Sequence, residues 1–510
     1  MQNILPKGLI LYLVVVPLAI LIGYLLADPM QVSNIAPVVL LLFLLLAPVA
    51  LKHHHSALIL SWNSFLTVFF LPGAPSLGVV VAIFSFMMTT VERTMRKTVQ
   101  SIRSPSTTVP LLIIACVVIT TIVARGGIGG HAMGSDAWGA KRYVSILAAV
   151  IGYFALLAKP IERKHAAFLV GGFFLSGATA IMSDLIYAAG PAFYPLFILF
   201  STEVASMQAF TEGTLNRLTG VAWASQAVFY FLIARYGIRG LLDLSKPWRV
   251  LLFLAAVVAS LFGGYRSTIV VLVLVLAVQF VIERLHRTAF LPILSGTFMI
   301  AGVFTIVFVD QMPLAVQRSL SFLPINVNQE AKIDAAGTLD WRLQMWKVVI
   351  PDVPKYLILG KGYSFSGTDF ILTQEATKRG LYTAYEETLV SGNYHNGILT
   401  ILIPFGLGGL LGFGWFCIAS LKVLRRNLLY GDPALRLTNT FLYSYFIARL
   451  GFYIFFYGQF DSDLLLFVGI LGFSLSLNNG VASPARMTSV PIPEALPEPV
   501  DQPLTVGQRA

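Results

Sequence analysis

The recurrence of long apolar runs is what most limits the folds open to this chain. From residue 8 to residue 478, stretches of about 16 to 25 mostly uncharged residues follow one another, separated by polar breaks. Lipid offers no partner to a free backbone N–H or C=O, so such runs read as membrane-crossing helices whose hydrogen bonds are internal. The expectation is an all-α polytopic integral membrane protein of about 12–14 transmembrane helices, with one long periplasmic loop containing short helices. Composition agrees: 57% of residues are hydrophobic and 12% charged, and the mean hydropathy is +0.79. The first run, Gly8 to Ala27, follows only Lys7, exceeds a signal-peptide core and reads as a retained anchor. Cys116 and Cys417 both lie in apolar runs, where they read as small hydrophobes.

A formal charge of +11 raises the question of nucleic acid, but its distribution answers otherwise. Basic residues cluster in alternate short loops: Arg93, Arg96, Lys97 and Arg103; Lys159, Arg163 and Lys164; Arg235, Arg239, Lys246 and Arg249; Arg284 and Arg287; Lys422, Arg425, Arg426 and Arg436. This is the positive-inside pattern, which sets these loops and both termini in the cytoplasm. One loop departs from it, carrying Arg125, Lys141 and Arg142 against Asp136 on the outward side.

Five regions follow: transmembrane helices over 1–248, transmembrane helices flanking Arg266 over 249–309, a periplasmic loop over 310–394, C-terminal transmembrane helices over 395–478, and a proline-rich cytoplasmic tail over 479–510 that reads as disordered. The hairpin around "FLPGAPSLG", between spans placed near 57–73 and 76–91, is re-entrant or spanning. The 310–394 loop, of mixed charge, is too long for a mere connector. Within it, Trp341, Met345, Val348 and Val349 share one helical face that Pro351 ends. That helix suits either the membrane surface, with Arg342 aimed at a headgroup-level ligand, or a solvated lid.

Several polar residues stand out against this background. Arg266, in "GGYRS", is the one charge between Val250 and Ile282 and lies where the chain reverses on the outward side. An arginine near membrane depth costs about 2–3 kcal/mol, so it either has a partner or snorkels to water. Arg449, well inside a span, faces the bundle interior or a wet cavity and reads first as structurally paired with a carbonyl or an acid. The run His53, His54 and His55 cannot converge on one metal from one helix face and reads as interfacial decoration. His395 differs because Asn396 can cap the helix beginning at Gly397, whose N-terminal partial charge favours the neutral ring that a general base needs. On spacing alone a structural histidine is the simpler reading. "GKGYSFSG" lacks the spacing of a phosphate loop, and "GLGGLLGFG" reads as a smooth face for close helix packing. Asp184, Glu203, Glu212, Arg217, Gln459 and Asp461 are outward polar residues suited to lining a cavity.

Three motifs in order resemble the bacterial O-antigen ligase and polysaccharide polymerase family. The pattern HNxxLxxLxxxGxxG is supplied by His395, Asn396, Leu399, Leu402, Gly406 and Gly409. An arginine after a small-residue turn is supplied by Arg266, with Gly264 and Tyr265 in place of the usual serine context. An "RLxxW"-like helix in the outer loop, followed by proline and a glycine pair, is supplied by Arg342, Leu343, Trp346, Pro354, Gly360 and Gly362.

The resemblance implies a glycosyltransferase of the bacterial inner membrane that transfers or polymerises undecaprenyl-diphosphate-linked glycan on the periplasmic side, with no metal and no cofactor. It implies His395 as general base, Arg266 and Arg342 on the diphosphate, and Asn396, Tyr394 and Tyr265 in support. The acceptor is a glycan or lipid A-core, the lipid bilayer is the medium, other polysaccharide-export components are partners, and nucleic acid is not. The alternative is a lipid-linked oligosaccharide flippase or other multi-span transporter, although no repeated halves are visible. A metal-dependent transferase is disfavoured because the first outward loop, "DPMQVSN", carries the single acid Asp28.

Overall fold

The structure is a computed structural model that describes residues 51–71, 73–95, 101–125, 127–129, 137–202, 204–205, 216–381 and 386–484, together with Val16, Gly23 and Val49. The first two expected spans, Glu203, Glu212 and the chain after 484 lie outside the described residues. Among the described residues seventeen α-helices have both ends defined, besides helical residues 51–61: α1 Leu77–Met95, α2 Pro105–Ala124, α3 Ala140–Leu156, α4 Arg163–Leu175, α5 Ile181–Ala189, α6 Thr219–Leu241, α7 Pro247–Ser260, α8 Arg266–Ile282, α9 Phe290–Phe308, α10 Leu314–Leu320, α11 Gln329–Val349, α12 Val353–Tyr356, α13 Gly367–Lys378, α14 Glu386–Ser391, α15 Leu399–Tyr430, α16 Arg436–Phe455 and α17 Phe460–Leu477. Among the described residues the strands are two short ones, β1 Ala137–Trp138 and β2 Phe365–Ser366, paired antiparallel. The protein is an all-α polytopic membrane protein.

Among the described residues six helical segments are long and apolar enough to cross a membrane, and α7 and α8 add shorter apolar ones. Helix α9 makes the case most directly, because Phe298, Met299, Ile300, Val303, Phe304, Ile306 and Val307 are all exposed along it. Such a surface is unstable in water and needs hydrocarbon around it. The core lies instead among α3, α17, α15, α2, α6 and α16, where Phe173 stacks on Phe473 and Phe405, Phe416, Phe446 and Phe467 are fully buried.

The connections sort into two ends. At one, Lys159 pairs with Glu92 at 2.6 Å, Arg163 pairs with Asp432 at 2.6 Å, and Glu283 accepts the Ile238 N–H. At the other, here the loop end, α10–α14 cover the starts of α6, α8 and α15. The two arginines that broke the charge pattern hold this cover down. Arg125 Nε donates to the Gly360 carbonyl at 2.8 Å, and Arg142 Nη1 donates to the Ser391 carbonyl at 2.6 Å.

Three expectations need correction. The span placed near 57–73 is not a helix beyond residue 61: the described residues of 62–76 form a non-helical hairpin tied to the bundle by the Thr67 N–H on Leu199 O and the Phe65 N–H on Thr179 Oγ1. Irregular backbone is tolerated where those bonds satisfy it, while Phe69 and Phe70 at the tip are exposed. His54 and His55 are not decoration but buried pins between helices, bonded to Ser85 Oγ at 2.8 Å and Leu156 O at 2.9 Å. The outer-loop helix is longer than its apolar face suggested, and Trp346 packs inward while Val348 is exposed.

Helix α15 is broken. Gly406 takes φ 64 and ψ −162, a conformation essentially closed to other residues, two positions after Pro404. The freed polar groups are not wasted, because the segment after α12 wedges into the break. Leu407 N–H donates to Leu357 O at 2.7 Å, Lys361 N–H to Ile403 O at 2.7 Å, and Gly362 N–H to Pro404 O at 3.0 Å. Of the glycines expected to smooth this helix, Gly408 and Gly412 do so, against Val117 and Ile114 of α2, whereas Gly406 is the hinge.

Candidate functional site

The site is assembled at the start of α15. Asn396 Oδ1 accepts the N–H groups of Ile398 and Leu399 at 3.0 and 3.1 Å, the cap that its position promised. Gly397 is required there, since a Cβ would collide with the carbonyl and ring of Tyr453. Immediately before the cap, His395 has φ 49, left-handed for a residue with a side chain. Such strain persists only where surroundings enforce it. They do: Trp341 and Tyr457 press edgewise on the imidazole with ring centroids 5.0 and 5.2 Å away, and Tyr394 lends its carbonyl to the Trp346 Nε1–H at 2.8 Å.

Helix α11 brings Arg342 to the same place. Its guanidinium lies 5.7 Å from the centroid of the Tyr457 ring, so the tyrosine is shared between the cation and the imidazole. The helix is held because Met345 and Val349 bury against Tyr394, Leu399 and Ile403. Burial, and after it the charge of Arg342, pushes the His395 pKa down to about 4. The neutral ring expected from the helix terminus is therefore present, with burial as the larger cause. Burial also pushes the Tyr457 hydroxyl up to about 12. His395 Nδ1 and Arg342 Nε are buried with no hydrogen-bond partner among the described residues. Buried polar atoms left in this state mark capacity for a ligand or water.

Arg266 opens α8 and donates from Nη2 to the Ala335 carbonyl of α11 at 2.6 Å, which ties the first motif to the helix that carries the second. Tyr265 precedes it, its hydroxyl 3.1 Å from Thr219 Oγ1. Two further arginines join them. Arg318 of α10 donates to Asp334 and to the carbonyl of Gly264, whose left-handed φ of 69 turns that carbonyl toward it. Arg217 reaches the same Asp334 oxygen at 3.0 Å and lies over the Tyr265 ring. Burial alone would raise the Asp334 carboxyl, but Arg318 and Arg217 hold it below the usual range. Burial, opposed by Tyr457 and aided by the charges of Arg266 and Arg318, lowers the pKa of Arg342. The guanidinium groups of Arg217, Arg266 and Arg318 thus gather around one acid, and Arg342 feels the charges of Arg266 and Arg318.

Arg217 was expected only as a cavity residue, and Arg318 and Tyr457 carried no motif. Nothing in "VQRSL" or "FYGQF" distinguishes these residues by period or spacing. Of the other outward polar residues, Asp184 Oδ2 accepts the Val221 N–H at 2.8 Å and so supports the start of α6. Asp463 accepts the Gln459 N–H and pairs with Arg449 at 3.0 Å, the structural pairing foreseen for that arginine.

The fold and these contacts define a multi-pass membrane protein with a basic, aromatic-walled site over the start of one broken helix. Residues 250–414, from α7 into α15, match the family model described as O-antigen ligase. This region is similar to that family, and it is the part of the chain that carries all three motifs. The match supports a membrane enzyme of the O-antigen ligase and polymerase type. A comparison with curated proteins finds no match.

Proposed function

We propose that the protein is an inner-membrane glycosyltransferase that joins undecaprenyl-diphosphate-linked glycan to an acceptor on the periplasmic side, without a metal. The observation that carries the reading is the meeting of Arg342, His395 and Tyr457, with Arg266 bonded to the same helix as Arg342. A diphosphate leaving group accumulates charge as its bond to the anomeric carbon lengthens, and forked guanidinium donors in a water-poor site are suited to receive it. Arg266 and Arg342 take that role, with Arg318 and Arg217 adding to the positive field.

The acceptor hydroxyl attacks the anomeric carbon from the face opposite the diphosphate. A carbon–oxygen bond forms, the carbon–phosphate-oxygen bond breaks with its electron pair passing to the diphosphate, and the hydroxyl proton passes to His395. Configuration inverts. A base near pKa 4 is weak in the empty site, but an anion bound at Arg342 offsets one of the two causes of that lowering. The imidazole thus gains basicity when the donor is in place. The acceptor is glycan for a polymerase and lipid A-core or protein for a ligase; we favour the polymerase.

The test is transfer from purified lipid-linked glycan in proteoliposomes. His395→Ala, Arg266→Ala and Arg342→Ala are each expected to lower the rate by about 100-fold or more while inserting normally. Near-normal transfer by the histidine variant removes it from the base role, and loss of wild-type activity in EDTA restored by Mg²⁺ contradicts the metal-free reading. The broken α15 is also what a lipid-linked glycan carrier would use, and movement of donor across the bilayer without joining would favour that reading.

A further inference from the structure

A second cavity, of about 460 Å³, lies beside the start of α17 and between it and the 62–76 hairpin, α4 and α6. Its size falls in the range of small-molecule sites, about 300–1,000 Å³. Trp62, Trp223, Tyr230 and Tyr445 wall it, and Asn63 and Gln226 present amides to it. These walls are preset. Trp223 stacks on Phe65 with centroids 5.0 Å apart and planes at 25°. Trp62 fills the space left by two glycines, since a Cβ at Gly152 would lie 2.7 Å from its ring and one at Gly469 would overlap it. Asn63 is oriented by donating from Nδ2 to the Phe173 carbonyl at 2.7 Å. Arg449 also lines the cavity, and while its Nη2 is spent on Asp463, its Nε is buried with no hydrogen-bond partner among the described residues.

We propose that this cavity binds the carbohydrate of the acceptor, an inference that rests on glycosyl transfer as the reaction. A sugar ring offers an apolar C–H face and a rim of hydroxyls, which match flat aromatic walls and scattered amide and guanidinium donors. A polyprenyl or acyl chain would leave the Arg449 Nε donor desolvated without compensation and would offer nothing to the remaining amide valences of Asn63 and Gln226. Among the described residues no carboxylate lines the cavity, and the Arg449 charge is paired with Asp463, so neutral sugars suit it better than aminosugars with a free amine.

Its location fits this role. Ser462, in the first turn of α17, lines the cavity, and Tyr457, in the connection just before that helix, borders His395 and Arg342. Lys141 lines it too, and the next residue, Arg142, holds Ser391 in the segment leading to His395. Every lining residue lies outside 250–414, so recognition of the acceptor glycan is separated along the chain from the groups assigned to the diphosphate.

The test uses the full-length protein with the oligosaccharide repeat released by mild acid from the surface glycan of the producing cells. In the His395→Ala background, tryptophan fluorescence is expected to change saturably with this oligosaccharide, because two indoles line the cavity. Gln226→Ala is expected to weaken that binding about tenfold with an unchanged melting midpoint, and Trp223→Ala to weaken it further. In the active protein, Gln226→Ala raises KM for acceptor about tenfold and leaves donor KM and kcat within about twofold. A rise in donor KM instead assigns the cavity to the lipid chain, and no change in binding or in either KM shows that it is unused; both overturn the proposal. Oligosaccharide binding that depends on Gln226 in a protein that joins no glycan would keep this site and remove the transferase reading.

Discussion

Replacing Gly406 by alanine tests whether the break in α15 is built in or incidental. Two routes are open to the variant, and the structure assigns each a cost. If the backbone stays, alanine must occupy φ 64, ψ −162, at about 1–3 kcal/mol, and its Cβ would lie 2.5 Å from the Leu357 carbonyl oxygen and 2.9 Å from that of Ile358. Those are backbone atoms that cannot swing aside. If the helix straightens instead, the three hydrogen bonds that tie residues 357–362 into the break are lost, at about 1 kcal/mol each. Either way the loss is about 3 kcal/mol. The control is Gly414→Ala on the same helix, where an added Cβ meets nothing within 4 Å and alanine should be neutral or stabilising by up to about 1 kcal/mol. Thermal unfolding of purified protein in detergent, followed by size exclusion, is expected to show a midpoint several degrees lower for Gly406→Ala and unchanged or higher for Gly414→Ala. Transfer should fall as well, because the wedge also anchors the segment between α12 and the site. Equal midpoints and equal activity in the two variants would refute a required hinge.

The remaining expectations concern charge. Because burial and Arg342 hold the His395 pKa near 4, below the ordinary 6.5, the ring stays neutral as pH falls until that value is approached, so kcat/KM should keep its acid limb well below pH 6; a limb at 6.5 or above would contradict the buried environment. Arg142→Gln removes the anchor on the Ser391 carbonyl without touching the reacting groups, and is expected to lower kcat about tenfold with little change in donor KM; unaltered kcat would free Arg142 from any positioning role. Arg342→Lys keeps the charge but loses the fork and should retain only a few per cent of activity; full activity in that variant would reduce the arginine to a point charge.

Much of the architecture was legible along the chain because its causes are local. The apolar runs, the Asn396 cap, the end of α11 before Pro351 and the structural pairing of Arg449 each follow from a few neighbouring residues meeting lipid, a helix terminus or a missing N–H. The 62–76 hairpin was left open between re-entrant and spanning, because its composition is as apolar as a span and only bonds to α4 and the 198–200 segment remove the need for helix. His54 and His55 likewise read as surface residues until Ser85 and the Leu156 carbonyl are brought to them.

The same division holds at the site. Arg266, Arg342 and His395 were visible because a charge or an imidazole beside an apolar run is costly and therefore conspicuous. Arg318 and Tyr457 were invisible, and Arg217 stood out only as a cavity residue, because in a loop a polar residue costs nothing; their importance arises from burial and from convergence on Asp334, Arg342 and His395, which depends on how α10, α11 and the α16–α17 connection fold together. Local chemistry fixes which segments enter lipid and where helices start, since water and hydrocarbon act on each residue where it stands. Proximity between distant residues is a property of packing, and no single stretch of chain contains it.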